Sequence, residues 1–257
     1  MDIVFKDITV DKSFGAYYQV YKNPFATYMC LLSFRKLYPL STIVLLSDNG
    51  YNYTEMAKYF NCIFIYSNEQ IYYIRNITDD YIVNFTKLIK RFCDCMNLIK
   101  EDYIMWLEDD VSINKIVNDN LINDINGYCP NNLFINNKQI LSELLNDFPN
   151  LNINSKFTGH GGSIYNKLSI YKYLSNTEIV LYLLTNWEEF AKYGFTSNIC
   201  QDYLFSMICV FSGGTIGNLN SHFDDYKLNT NISVQHQFKI YYSLDMPSEL
   251  KYLYSIN

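Results

Sequence analysis

Residues 14–66 read FGAYYQVYKNPFATYMCLLSFRKLYPLSTIVLLSDNGYNYTEMAKYFNCIFIY, and their pattern decides the fold class. The first segment, 14–21, predicts a strand rich in Tyr and Val. Asn23-Pro24 stops it and opens a helix, because proline suits a first helical turn. Residues 25–37 show helical spacing through Met29, Leu32 and Leu37, and Tyr38-Pro39 closes them. Residues 42–46, TIVLL, are apolar throughout, as expected of a strand buried on both faces of a parallel sheet. A helix over 53–60 and a second buried strand over 62–66, CIFIY, follow. This β-α-β-α-β order predicts an α/β domain with right-handed crossovers. Such sheets bind ligands at the carboxyl ends of their strands. That rule marks Val20, Tyr21 and Lys22, and Ser47-Asp48-Asn49, before any motif is invoked.

Working outward, residues 80–99 predict an amphipathic helix with Ile82, Phe85, Leu88, Ile89, Phe92 and Met96 inward. Residues 103–107, YIMWL, predict a third buried strand. The Asn-rich stretch 114–155 contains a helix over 138–147. Gly159-His160-Gly161-Gly162 predicts a tight loop, and 163–184 carries mixed strand and helix signals. Asp202–Phe211 predicts a helix closed by Gly213-Gly214. The tail from 215 reads as strand and loop with a short final helix. With no repeat, linker or composition break, residues 1–257 are read as one domain.

Composition narrows the function. Of 257 residues, 49% are hydrophobic and 18% charged, which suits a folded core rather than a disordered chain. A net charge of −6 excludes a general nucleic-acid binder, which needs a basic face. No apolar run reaches the ~20 residues of a membrane span. The opening MDIVFKDITV lacks the basic and apolar regions of a signal peptide, so a cytoplasmic location is expected. Thirty Asn and 25 Tyr against 4 Ala and 3 Arg follow AT-rich codons, as in an AT-rich host or a large DNA virus. The seven cysteines are scattered, with only Cys93 and Cys95 close, and are expected to be reduced and buried.

Glu108-Asp109-Asp110 follows YIMWL directly. A solvated turn would tolerate such residues. At the end of a central strand, however, three carboxylates repel one another unless a cation sits among them. Hard divalent cations take oxygen ligands and leave room for substrate phosphates.

A strand-terminal acidic motif in an α/β chain of this size resembles the D-x-D element of GT-A fold glycosyltransferases, here as an E-x-D variant. The resemblance implies a Rossmann-like mixed sheet flanked by helices. Its nucleotide-binding half would be about 14–110, and its acceptor and catalytic half about 111–257. It implies Mn²⁺ or Mg²⁺ held by Asp110, with Glu108 and Asp109 toward the ribose or sugar. Tyr18-Gln19-Val20-Tyr21-Lys22-Asn23-Pro24 resembles the cradle for the nucleotide base. Ser47-Asp48-Asn49-Gly50 resembles an S-D-x-G element whose Asp contacts uracil; a plain turn role for Asp48 stays open. These two elements look most similar to small viral glycosyltransferases. Gly159-His160-Gly161-Gly162-Ser163 resembles a glycine-rich loop near the transferred sugar, which brings in His160, Gly161 and Gly162. Asp202 resembles the catalytic base of inverting members, with a helix N-cap as its other reading. Val234-Gln235-His236-Gln237-Phe238-Lys239 resembles a metal His and a diphosphate-binding Lys, with His222 competing with His236. Trp187 and Glu188, with Glu189, make an acceptor wall or an ordinary helix face.

The resulting expectation is a metal-dependent glycosyltransferase. It would use a nucleotide-diphosphate sugar, a UDP-sugar, and a glycan or glycoprotein acceptor, with inversion. The alternatives are a nucleotidyltransferase acting on sugar phosphates and an inactive sugar-binding protein of the same fold. The nucleotidyltransferase needs a glycine-rich or basic loop at the first strand, and of the nearby basic groups Lys22 follows that strand while Arg35 lies in the helix beyond it.

Overall fold

The computed structural model describes residues 14–48, 50–69, 71, 81–134, 138–191, 200–225, 227, 229–236 and 247–255. Lys239 and Asn49 lie outside the described residues. The chain opens as β1 (Gly15–Val20), α1 (Pro24–Leu37), β2 (Ile43–Ser47), α2 (Thr54–Tyr59), β3 (Ile63–Tyr66), α3 (Tyr81–Met96) and β4 (Tyr103–Leu107). It continues through β5 (Ser112–Ile113), β6 (Ile125–Gly127), β7 (Asn131–Asn132), α4 (Lys138–Asp147), β8 (Lys156–Phe157) and β9 (Ile164–Asn166). Then come α5 (Lys167–Leu174), α6 (Thr177–Thr185), α7 (Trp187–Phe190), α8 (Gln201–Phe211), β10 (Ile216–Asn218), β11 (His222–Asp224), β12 (Val234–His236) and α9 (Ser248–Ser255).

Seven strands form the main sheet in the order β10-β6-β9-β4-β1-β2-β3. β3, β2, β1 and β4 are parallel, and β9 runs antiparallel to both β4 and β6. The mixed α/β sheet flanked by helices is the expected fold class. Alternation along the central strands explains their unbroken apolar sequences. Tyr17, Ile104 and Trp106 join a core under α3, α5, α6 and α8. Ala16, Tyr18, Met105 and Leu107 join a second core under α1, α2 and α9. A strand covered on both faces has no polar side to show.

β3 departs from expectation. It is the sheet edge, and Ile63 and Tyr66 are exposed, so CIFIY is apolar without being buried on both faces. The end of α8 matches the glycine signal: Gly213 takes φ +81°, and the Gly214 amide returns to the Cys209 carbonyl at 2.8 Å.

Two buried polar anchors lock the β1–β2–β3 side of the sheet. Arg35 is fully buried and donates to five carbonyls, those of Phe60, Tyr38, Pro39, Ser41 and Asn61, tying the end of α1 to the α2–β3 turn. The second anchor is Asp48. Gln19 donates to its Oδ2 at 2.8 Å, the Ile71 amide donates to Oδ1 at 3.2 Å, and Arg91 pairs with Oδ1 at 2.6 Å. Burial raises the Asp48 pKa, and Arg91 opposes the rise. Both oxygens have partners inside the fold, through which Asp48, expected to contact a uracil base, joins β1, β2 and α3.

Asp48→Ala therefore leaves the mostly covered Arg91 charge without its carboxylate. The expected loss is about 3–5 kcal/mol, read as a lower urea midpoint at constant m-value.

Candidate functional site

The acidic motif begins where β4 ends. Tyr18 on β1 is paired with Leu107 on β4, which brings the end of β1 level with Glu108-Asp109-Asp110. The three carboxylates then separate. Asp109 turns toward β1 and accepts the Tyr18 hydroxyl at 2.5 Å. Burial lifts its pKa to about 6; Tyr18 and Asn23 pull it down, while Asp110 and Glu108 push it up.

Glu108 and Asp110 turn toward β12. The Nε2 atom of His236 lies 3.5 Å from Glu108 Oε2 and 3.6 Å from Asp110 Oδ1. A second small sheet makes this possible. β12 pairs antiparallel with β5, Gln235 opposite Ser112, so His236 falls beside the motif that leads into β5. β11 pairs parallel with β12, placing Asp224 opposite His236. The Nδ1 of His236 lies 3.0 Å from Asp224 Oδ1. A proton on Nδ1 then leaves Nε2 as the atom facing the two acids.

This donor set fits a divalent cation. Two carboxylate oxygens and one imidazole nitrogen converge, and the 3.5 and 3.6 Å separations leave space for metal–ligand bonds of about 2.0–2.2 Å. The Asp224 contact is the outer-sphere support that ligating histidines ordinarily have. Without a cation the imidazole is protonated: burial lowers its pKa, but Asp224, Glu108 and Asp110 together outweigh that and lift it to about 10. Metal binding must displace this proton.

His222 is the other candidate, and it also lies near Asp224 and His236. Burial lowers its pKa to about 3, so it is neutral. The Tyr128 amide donates to its Nδ1 at 3.1 Å, which puts the single ring proton on Nε2. That Nε2 is itself covered and without a hydrogen-bond partner, and while it carries the proton it has no lone pair for a metal. His222 is neutral with its proton on a covered Nε2, whereas His236 is charged without a cation and presents its Nε2 to the two acids.

The glycine loop lies against this cluster. A Cβ on Gly161 would meet His236 at 2.4 Å and Glu108 at 3.0 Å, and Gly162 takes φ +79° beside His222 and Val234. Here glycine makes room for the protein's own imidazoles. His160, expected beside a sugar, is instead buried and stacked flat on Trp106, with centroids 4.0 Å apart at 12°. It exposes no edge to a ligand.

Asp202 sits in the first turn of α8, and the N-cap is Cys200, so its side chain is not the helix cap. It retains 28% side-chain accessibility and lies 3.4 Å from His160 Nε2. Burial and then Glu108 raise its pKa to about 7, against His236 and the amides of His160 and Asp202 itself.

Other expected residues divide. Val20 is buried at the end of β1, and its carbonyl accepts the Asp48 amide at 3.1 Å. Tyr21, 48% exposed, and Lys22 sit on the surface beside it. Trp187 is fully buried, edge-on to Tyr203, so it offers no face to an acceptor sugar. Glu188 and Glu189 are exposed on the same short helix, α7. Arg35, spent on five carbonyls, is not available to a triphosphate. The residues missed were Asp224, Trp106 and Tyr165, whose parts depend on strand pairings distant in sequence; Tyr18, read as part of a base cradle, instead holds Asp109.

No protein-family model and no curated protein sequence matches the chain. Solved structures do match. An active-site mutant of LgtC aligns at a TM-score of 0.50 and 14% identity, over 87% of this chain and 86% of that one. The chain has the GT-A glycosyltransferase fold. The galactosyltransferase LgtC in complex with donor and acceptor sugar analogues is similar at a TM-score of 0.48 and 15% identity, over 87% and 86%. Mouse xyloside xylosyltransferase 1, in its apo form, is similar at 0.46 and 12%, over 87% and 97%. Among the described residues no helix is long and apolar enough to cross a membrane.

Two outcomes follow from the GT-A cleft. Gly161→Ala displaces His236 and is expected to weaken Mn²⁺ binding by about 10–100-fold in calorimetry, the usual effect of disturbing a ligand's support. Gly213→Ala, whose Cβ meets nothing within 4 Å, leaves that affinity unchanged. Second, the folded-state pKa of Asp202 is raised, so the carboxyl contributes stability when protonated and loses it as pH rises from about 4 to about 7. Asp202→Asn is therefore expected to raise the melting temperature at pH 8 relative to wild type and to leave it unchanged at pH 3.5.

Proposed function

We propose that the protein is a metal-dependent glycosyltransferase. It takes a sugar from a nucleoside diphosphate donor, a UDP-sugar, and passes it with inversion to a hydroxyl of a glycan or glycoprotein. The observation that carries this reading is the convergence of Glu108, Asp110 and the Nε2 of His236 at the carboxyl edge of the sheet. Those three residues hold the cation. Two oxygens and one nitrogen favour Mn²⁺, with Mg²⁺ the alternative. A bound cation supplies positive charge to the diphosphate leaving group. Glu108 thereby becomes a ligand, whereas Asp109, held by Tyr18, shapes the nucleotide side.

Val20, Tyr21 and Lys22 line the nucleotide end of the cleft: the Tyr21 ring offers a face for the base, and Lys22 a charge near it. Lys239 is assigned to the diphosphate by its place in the H-x-x-K motif. Gly161 and Gly162 keep side chains out of the space beside the cluster. Asp202 is the base. The acceptor oxygen attacks the anomeric carbon and its proton passes to the Asp202 carboxylate. The bond from that carbon to the diphosphate oxygen breaks, and the electron pair leaves with the nucleotide. A base with a pKa near the working pH is well matched to this transfer.

UDP release from a panel of UDP-sugars, with MnCl₂ and with EDTA, tests the reading. Release is expected only with the cation, and Asp110→Ala is expected to abolish it while the fold persists. Equal turnover in EDTA would remove the metal from the mechanism. Asp202→Asn is expected to lower kcat by about 10²–10⁴ with donor affinity unchanged. It is also expected to abolish the limb on which the wild-type rate rises with pH toward 7. The product's anomeric configuration, read by NMR, distinguishes inversion from retention.

A further inference from the structure

Asp202 is not alone in its pocket. The His160 ring is clamped between the face of Trp106 and the edge of Phe205, whose centroid is 4.8 Å away at 75°. Its Nδ1 makes a short hydrogen bond with the hydroxyl of Tyr165 on β9. Its Nε2 faces Asp202 Oδ1 across 3.4 Å. Both facing atoms are fully covered, and neither reaches hydrogen-bond geometry with any other group. Two covered polar atoms left so close cost stability unless one donates to the other.

We propose that Tyr165 and His160 form a positioning relay, in which the Tyr165 hydroxyl donates to Nδ1 and the Nε2 proton is aimed at Asp202 Oδ1. This rests on the reading of Asp202 as the base. A buried neutral imidazole carries one proton. If it sat on Nδ1, the Nε2 lone pair would face an ionised carboxylate and repel it. With the proton on Nε2, the same ring anchors the carboxylate. Oδ1 is covered, so Oδ2 is the oxygen left for the acceptor's proton. The Nε2 proton does not move during transfer; it fixes the carboxylate before and after Oδ2 is protonated. Catalytic hydrogen bonds that are long in the free protein tighten when substrate arrives. His160 thus acts through Asp202 and does not touch the sugar.

The test combines spectroscopy and kinetics on the full chain. Nitrogen-15 NMR at pH 8, where Asp202 is ionised, is expected to show His160 with its proton on Nε2. Tyr165→Phe removes the hydroxyl but keeps the ring. It is expected to mix the tautomers and lower UDP release from the active UDP-sugar about tenfold in kcat, with donor KM unchanged. His160→Leu is expected to lose about a hundredfold, the lower range for a disabled base. His160→Gln, which retains an N–H donor, is expected to recover most of that loss. A proton on Nδ1 in the wild type overturns the proposal. So does an unchanged kcat in a folded His160→Leu, provided that Asp202→Asn is impaired. If Asp202→Asn turns over normally, the base assignment itself falls, and the NMR tautomer alone then decides whether the relay exists.

Discussion

Like-charge repulsion at the end of β4 is the constraint around which the cleft is organised. Glu108, Asp109 and Asp110 follow one another where a buried strand opens to solvent. Three adjacent carboxylates cannot share that space at neutral pH without countercharge or separation. The structure uses both. Asp109 is turned back to the Tyr18 hydroxyl, while its neighbours face the His236 imidazole. His236 can serve only because β12 pairs with β5 in one register and because Asp224 orients the ring from behind. A one-residue slip between β5 and β12 would turn His236 to the other face.

The rest of the molecule supplies rigidity to that arrangement. Trp106 packs edge-on against Tyr17 and stacks on His160, so the aromatic core beneath the sheet reaches the floor of the cleft. At the other side of the sheet, the Asp48 and Arg35 anchors hold the β1 and β2 ends and the turn behind them with buried polar bonds rather than with volume alone. Such bonds are directional, and they keep the loops at the carboxyl edge in one conformation.

The central strands were legible in the sequence because burial on both faces writes itself as an apolar run. β2 and β4 were found this way within a residue or two. The same signal misled at β3: an edge strand can be apolar, and nothing local records which strand lies outermost. The sequence singled out Asp110 and His236, and the fold brings the two together with Glu108. Orientation was not legible. Asp48, Trp187 and His160 had the right residue types for ligand contact but point inward, and the direction of a side chain depends on partners far along the chain. What the His222 ring presents depends on one backbone amide, at Tyr128, far from it in sequence.

The two halves of the acidic–imidazole cluster come from distant parts of the chain. Glu108 and Asp110 leave β4, whereas His236 arrives on β12, after every strand of the main sheet has been made. During synthesis the acids exist for most of that time without their imidazole. A growing chain therefore cannot assemble the full acidic–imidazole set, and on the proposed reading cation capture is a property of the finished fold. A ligand that binds only the folded form stabilises it by mass action, so under the proposed function the supply of the ion sets how much of this protein persists as well as how fast it works.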